Sequence, residues 1–248
     1  MNSRISFDLH THTRYSHGKG SIADNAAMAA GLGLKRLGIS DHGPGCLTFG
    51  IDLNGVPSMR KDIEKASELY PGLEISLGVE ANTANADGSL DISKEDQKLF
   101  DYIIAGYHYS YLGKKPFTGL AVVLGGWAHE RGLTTSQHAR IRNTDFIVNS
   151  LYANNIYILS HPGDKADFDI DAIAKACEET DTIIGNKAVK INRATEHLAA
   201  SLVADGDVGI AALVIGRAID GDATAFEGND EVLTDGLRLP LFANFPAE

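Results

Sequence analysis

Short β-branched apolar runs alternate with stretches of helical period along this chain. The runs at 5–9, 36–40, 73–80, 102–107, 156–160, 188–192 and 210–216 are expected strands. Helix-like segments fall between most of them. Residues 21–32 are Ala-rich and open on Ser21, whose hydroxyl suits an N-cap. Residues 59–70 space Ile63, Ala66 and Leu69 on one face, and 143–153, 169–179 and 194–204 read the same way. Strands that are almost continuously apolar, alternating with helices, predict an α/β fold whose parallel sheet is buried on both faces. Seven such runs favour an open or slightly distorted barrel over a flat sheet. Residues 44–58 and 112–135 are expected to be Gly-rich loops, the usual place for substrate contacts. No repeat, low-complexity tract or linker divides the chain.

Composition narrows the class. A chain of 248 residues, 44% hydrophobic and 22% charged, buries a core without staples and is neither disordered, collagen-like nor coiled-coil. No apolar run approaches the ~20 residues of a membrane span, so no membrane partner is expected. The start, MNSRISFDLH, carries no apolar signal core, which makes the cytoplasm the expected location. The formal charge of −11 would repel a phosphate backbone, so nucleic acid is not an expected partner, while metal cations are compatible. Cys46 and Cys177 are too few for a disulfide framework or a thiolate zinc site and are expected to be buried thiols.

Ionisable residues follow the apolar runs. The first ends in Asp8-Leu9-His10-Thr11-His12, with His17 soon after; the second in Ser40-Asp41-His42-Gly43; the third in Gly78-Val79-Glu80-Ala81-Asn82. The fourth ends in Gly106-Tyr107-His108 and the fifth in Ser160-His161-Pro162-Gly163. In a parallel barrel these C-terminal ends converge on the face where active sites are built. His10 and His12, two apart in an extended strand, point to one side and can reach one ion. Glu80 has two oxygens and can bridge two ions. Single histidines are ordinarily structural, but five successive strand ends carrying ligand types are hard to assign to packing.

Other residues take plainer readings. His129 and His138 fall in the long loop region and are expected to be solvated, and His197 is expected on a helix surface. Asp41 is placed to orient His42 or a neighbouring imidazole, and Asp8 either does likewise or makes a strand-end hydrogen bond. Trp127 and the Tyr107, Tyr109 and Tyr111 series read as packing more than recognition. Clustered divalent ions lower the pKa of a bound water and clamp phosphoryl oxygens, so phosphate ester hydrolysis is the natural use of such a site. Arg14, Lys114 and Lys115 are placed to hold the phosphate.

In the order DLHTHTRYSHG, ISDHG, GVEAN, AGYH and SHPG, these motifs resemble the PHP (polymerase and histidinol phosphatase) superfamily. They are most similar to its small stand-alone bacterial phosphatases. The likeness is clear through about residue 182 and includes Asp87-Gly88 after the third strand. It implies a single domain over 1–248 built as a distorted (β/α)7 TIM-like barrel. It also implies a metal-dependent phosphoesterase with two or three ions, zinc foremost and manganese or iron as alternatives, acting on a small phosphorylated metabolite with a metal-activated water. Carried over by motif, His10, His12 and Glu80 hold a first ion. Glu80, His108 and His161 hold a second, and His17 and His42 hold a third. Asp41, His42 and Glu80 are the implied catalytic groups, with Asp41 or a histidine relaying a proton to the leaving group.

The sequence departs from the family at two strands. The sixth reads Lys190-Ile191-Asn192 where Glu-Ile-Asn is usual, and the seventh has Gly216-Arg217-Ala218-Ile219 in place of Ser-Asp-x-His. Three fillings of the gaps are open to this sequence. A water or substrate oxygen takes each position; Asp220 or Asp222 substitutes; or Arg217 projects its cation there, excluding a metal or binding phosphate. The rival function is an impaired PHP protein that binds metal or a phosphorylated ligand without turnover. The oligomeric state is not legible.

Overall fold

The computed structural model describes residues 6–185, except 84, 109–110, 112, 114–115 and 134–135. The expected strands at 188–192 and 210–216 and the expected helix at 194–204 lie outside the described residues. Six parallel strands follow in chain order: β1 (Phe7–Thr11), β2 (Arg36–Ile39), β3 (Glu74–Asn82), β4 (Tyr102–Gly106), β5 (Ile158–Leu159) and β6 (Ile183–Ile184). The helices are α1 (Ile22–Gly31), α2 (Val56–Leu69), α3 (Pro116–Glu130), α4 (Gln137–Ala153) and α5 (Ile170–Glu179).

Strand ends and caps follow from local chemistry. Ser21 caps α1 in a reciprocal box with Asp24, satisfying amides that a helix start leaves unpaired. Ser136 caps α4 and Asp169 caps α5 by one-way bonds, their side chains accepting from the Ala139 and Ala172 amides. No expected strand covers β6: the pair Ile183–Ile184 is too short for a periodic signal, yet it bonds parallel to β5. Two expected loops also need correction. Within 44–58 a 3-10 turn covers Leu53–Gly55 and α2 begins at Val56. Within 112–135 lies α3, a fifteen-residue helix whose buried positions include Gly119, Val122 and Gly126. Its large side chains Leu120, Leu124 and Trp127 face outward, so the usual apolar signal of a packed helix is inverted.

The sheet curls. Leu9 of β1 packs in one buried cluster with Tyr102 and Ile104 of β4, Ile158 of β5 and Ile183 of β6. In a flat sheet β1 and β4 would be about three strand spacings, ~14 Å, apart. Instead the Tyr102 hydroxyl donates to the Leu9 carbonyl at 2.7 Å. Tyr102 fills the floor of the half-barrel, and a Cβ at Gly38 or Gly78 would collide with it. The larger core lies outside the curl, where Leu37, Ile39, Leu77, Val79, Ile103 and Ala105 meet the helices. Alternation along β3 and β4 therefore sends Glu80 and Gly106 inward, above the Tyr102 floor. Among the described residues no helix is long and apolar enough to cross a membrane.

Candidate metal centre

Each ligand-type side chain reaches the barrel mouth for a local reason. Along β1, Asp8 pairs with Leu37 but Thr11 pairs with Ile39, so β1 carries one extra residue. Such a bulge reverses the alternation. Leu9 belongs to the inner cluster, yet His10 and His12 also turn to the barrel mouth. The amide of His10 donates to the Asp8 carboxylate at 3.1 Å. Asp8 thus bonds backbone, the second of its two expected roles, and burial pushes its carboxyl up to about 6 against that hydrogen bond. At β5, His161 adopts the left-handed backbone region at φ 34°. That conformation is costly for a residue with a Cβ and here aims the ring inward.

Glu80 is 1% exposed and sits among five imidazoles. Its Oε2 lies 3.2 Å from His10 Nε2, 3.4 Å from His12 Nε2 and 3.1 Å from His42 Nδ1. Its Oε1 lies 3.5 Å from His108 Nε2 and 3.1 Å from His161 Nε2, and accepts from the Ser160 hydroxyl at 2.7 Å. A Cβ at Gly106 would stand 2.5 Å from the His108 ring and 3.0 Å from Oε1, so only glycine leaves this approach open. His17 closes the group from the exposed rim, its ring 4.7 Å from that of His12 and 4.9 Å from that of His42.

Electrostatics keep this cluster rich in lone pairs. Burial would raise the Glu80 carboxyl, but His10, His108 and His161 hold it well below the usual carboxylate range. Burial also pushes His12 and His108 well below the ordinary histidine value, beyond what Glu80 restores. Neutral rings offer nitrogen donors. Among the described residues, the buried Nδ1 atoms of His12 and His42 receive no hydrogen bond. Uncommitted imidazole nitrogens around an ionised carboxylate fit divalent cations. Three sets have donor atoms all within 4.8 Å of one another: His10, His12 and Glu80; His42, Glu80 and His108; and His12, His17 and His42. The first set is the one expected. The others assign His42 beside both Glu80 and His17, which makes it a shared ring.

Asp41 departs from its expected role. Its carboxylate accepts from the Thr13 amide and hydroxyl, each at 2.7 Å, and from the Ser16 hydroxyl at 2.5 Å. It braces the loop between His12 and His17 and makes no hydrogen bond to His42 Nδ1. Arg14 is exposed in that loop. Lys114, Lys115, Arg217, Asp220 and Asp222 lie outside the described residues, as do Lys190 and His197. His138 is exposed, but His129 is half-buried with Nδ1 3.5 Å from an Asp167 oxygen, correcting its expected solvation. Trp127 is not packed: it is 51% exposed, with the Arg131 guanidinium 3.9 Å above its ring. Tyr107 is buried and donates to Asn143 at 2.8 Å.

Sequence reasoning gave no role to Ser160, Thr13, Asn82 or Asp91. Ser160 and Asn82 stood inside quoted motifs, and their strand-end positions were the available signal. Asp91, nine residues past Asn82, offered none.

A curled parallel sheet carries histidines and a glutamate at successive strand ends, in groups that could hold metal ions, and the chain belongs to the PHP domain family, whose model matches residues 8–194. The "Probable phosphatase YcdX" of Shigella flexneri serotype 5b (strain 8401) is 30% identical over 173 residues, covering 68% of this chain and 58% of that protein. The "Probable phosphatase YcdX" of Escherichia coli (strain K12 / DH10B) gives the same identity and coverage. The match thus spans less than two thirds of these relatives' length.

Proposed function

We propose that this chain is a metal-dependent phosphoric ester hydrolase acting on a small phosphorylated metabolite. One observation carries the reading: a single buried carboxylate presents Oε2 to three imidazoles and Oε1 to two more. Its likeness to probable phosphatases supports the same chemistry. His10, His12, His17, His42, Glu80, His108 and His161 would hold two or three ions, with zinc suited to the imidazole-rich donors and manganese or iron as alternatives. Bound there, such ions supply Lewis acidity toward phosphoryl oxygens and lower the pKa of water.

The chain's own residues supply the arrangement. Glu80 stays ionised and would offer its two oxygens to separate ions. Ser160 fixes Oε1 by donating to it. Asp41 braces the first loop, which holds His12 and His17 toward His42. Arg14, exposed in that loop, would meet an incoming phosphate by charge-assisted hydrogen bonds. The local cationic charge of the loaded site offsets the repulsion between an acidic protein and an anionic substrate.

The sequence Gly216-Arg217-Ala218-Ile219, in place of the family's usual Ser-Asp-x-His, favours a second reading, metal or phosphorylated-ligand binding without turnover. Elemental analysis of chelator-free protein, followed by phosphate release from a panel of small phosphomonoesters, separates the two. The hydrolase binds two or three equivalents and releases phosphate, and Glu80→Ala abolishes both. Metal bound with no release from any ester selects the binding reading.

A further inference from the structure

Asp91 lies past β3, outside the ligand set, yet its carboxylate is fully engaged toward it. Its Oδ1 accepts the Asn82 amide N–H at 2.8 Å. Its Oδ2 accepts the Asn82 side-chain Nδ2 at 2.5 Å and the Gly45 N–H at 3.1 Å. The approach is built: a Cβ at Gly43 would stand 2.6 Å from Oδ1, and one at Gly45 would stand 2.6 Å from the Asp91 Cβ. Gly43 directly follows Asp41-His42, and Gly45 lies two residues further on. A loop aspartate with no part in the site would need neither.

The chain of donors has one consistent direction. An ionised carboxylate only accepts, so the Asn82 NH2 must face Asp91. The Asn82 Oδ1 then faces His108 Nδ1, at 2.8 Å. An amide oxygen also only accepts, so Nδ1 must carry the hydrogen. In a neutral imidazole the other nitrogen is then a bare lone pair. That Nε2 stands 3.5 Å from Glu80 Oε1, another acceptor, and two acceptors face each other favourably across a cation.

We propose that Asp91, acting through Asn82, is a positioning residue that locks His108 in the Nδ1–H tautomer and turns Nε2 toward Glu80 as a metal donor. The tautomer lock stands on the hydrogen bonds alone, and only its use rests on the metal-centre reading above. Such an outer partner fixes ring orientation and raises ligand basicity.

The test is 15N NMR of the His108 ring in metal-free protein at pH 8, with zinc affinity measured separately by chelator competition. The variants are Asp91→Asn, nearly isosteric, and Asn82→Leu, which removes the acceptor at similar volume. Wild type shows a protonated Nδ1 and a bare Nε2. Both variants populate the two tautomers together and bind zinc about 10- to 100-fold more weakly. A wild-type ring protonated on Nε2 overturns the lock, and so does a tautomer unchanged in Asp91→Asn. If Asn82→Leu does not fold, the wild-type and Asp91→Asn spectra decide. A locked tautomer in a protein that binds no zinc sustains the lock and removes the metal reading. Zinc binding with mixed tautomers in wild type does the reverse.

Discussion

Glu80 and Asp41 are carboxylates on neighbouring strand ends, each 1% exposed and joined by a backbone hydrogen bond of 3.0 Å. Burial raises the Asp41 carboxyl despite its hydrogen bonds and the nearby His42. Glu80 goes the other way, held ionised by surrounding rings. The partners make the difference. Asp41 meets two hydroxyls and an amide, all of which donate, so its bonding is complete within the protein. Glu80 meets one hydroxyl and five imidazoles. A neutral ring carries one bare nitrogen, and the Nδ1 of His42, 3.1 Å from Oε2, receives no hydrogen bond, so these surroundings suit a cation. Equal burial thus marks a brace in one case and a candidate bridging ligand in the other.

The largest effect expected is on Glu80. On the proposed reading Glu80→Ala removes a donor shared by two ions, so metal affinity is expected to fall by more than the roughly 100-fold that loss of an outer partner costs. His17→Ala removes an exposed donor from one set only and loses less metal. Elemental analysis of both variants checks the order. Equal losses contradict the bridging role.

Asp41→Ala is expected to act on stability. It strips the acceptor from the buried Thr13 amide and hydroxyl and from Ser16. Unsatisfied buried donors cost about 1–3 kcal/mol each, softened where water enters, so a net loss of about 2–4 kcal/mol is expected. Thermal melting should fall by about 2–4 °C per kcal/mol for a chain of this size. Metal content should stay above that of Glu80→Ala. If Asp41→Ala instead lost as much metal while melting normally, Asp41 would belong with Glu80 and the contrast would collapse.

Much of this contrast was legible in the residues, and the reasons are physical. Ligand types at strand ends are visible because a parallel strand's apolar run marks its own C-terminus, which is why His10, His42, Glu80, His108 and His161 were found. The roles of Asp41 and Asp8 were not, because a carboxylate's partner is set by loop closure and by a bulge. The bulge in β1 leaves no compositional trace, and the rule of two that paired His10 with His12 gave no warning that Leu9 shares their side. Helix α3 was missed because its buried face is Gly119, Val122 and Gly126.

Acid sensitivity tests the same contrast more gently. For His12 and His108 the folded pKa is depressed, so the unfolded chain binds more protons below the ordinary histidine value of 6.5. Their contribution is present above 6.5 and is lost as pH falls. Asp8 and Asp91, raised to about 6 by burial, have the opposite sign. Between their ordinary range and about 6 the folded chain binds more protons, which favours folding as pH falls. Urea midpoints of metal-free protein should therefore drop from pH 7.5 toward 6 and flatten below it. A midpoint constant from 7.5 to 6 would mean that the rings are solvated or already charged.

The smallest effect expected is at His129, a histidine beside a carboxylate but outside the cluster. Its Nδ1 stands 3.5 Å from an Asp167 oxygen whose side chain is 46% exposed. Solvent screens such a pair, which is worth at most about 1 kcal/mol. His129→Ala should leave metal content unchanged and shift the urea midpoint little. Proximity of imidazole and carboxylate is the same here as at Glu80, while burial and ring count differ. Loss of metal on this substitution would show that proximity alone recruits cations in this chain, and the distinction drawn between Glu80 and Asp41 would have to rest on something other than their buried partners.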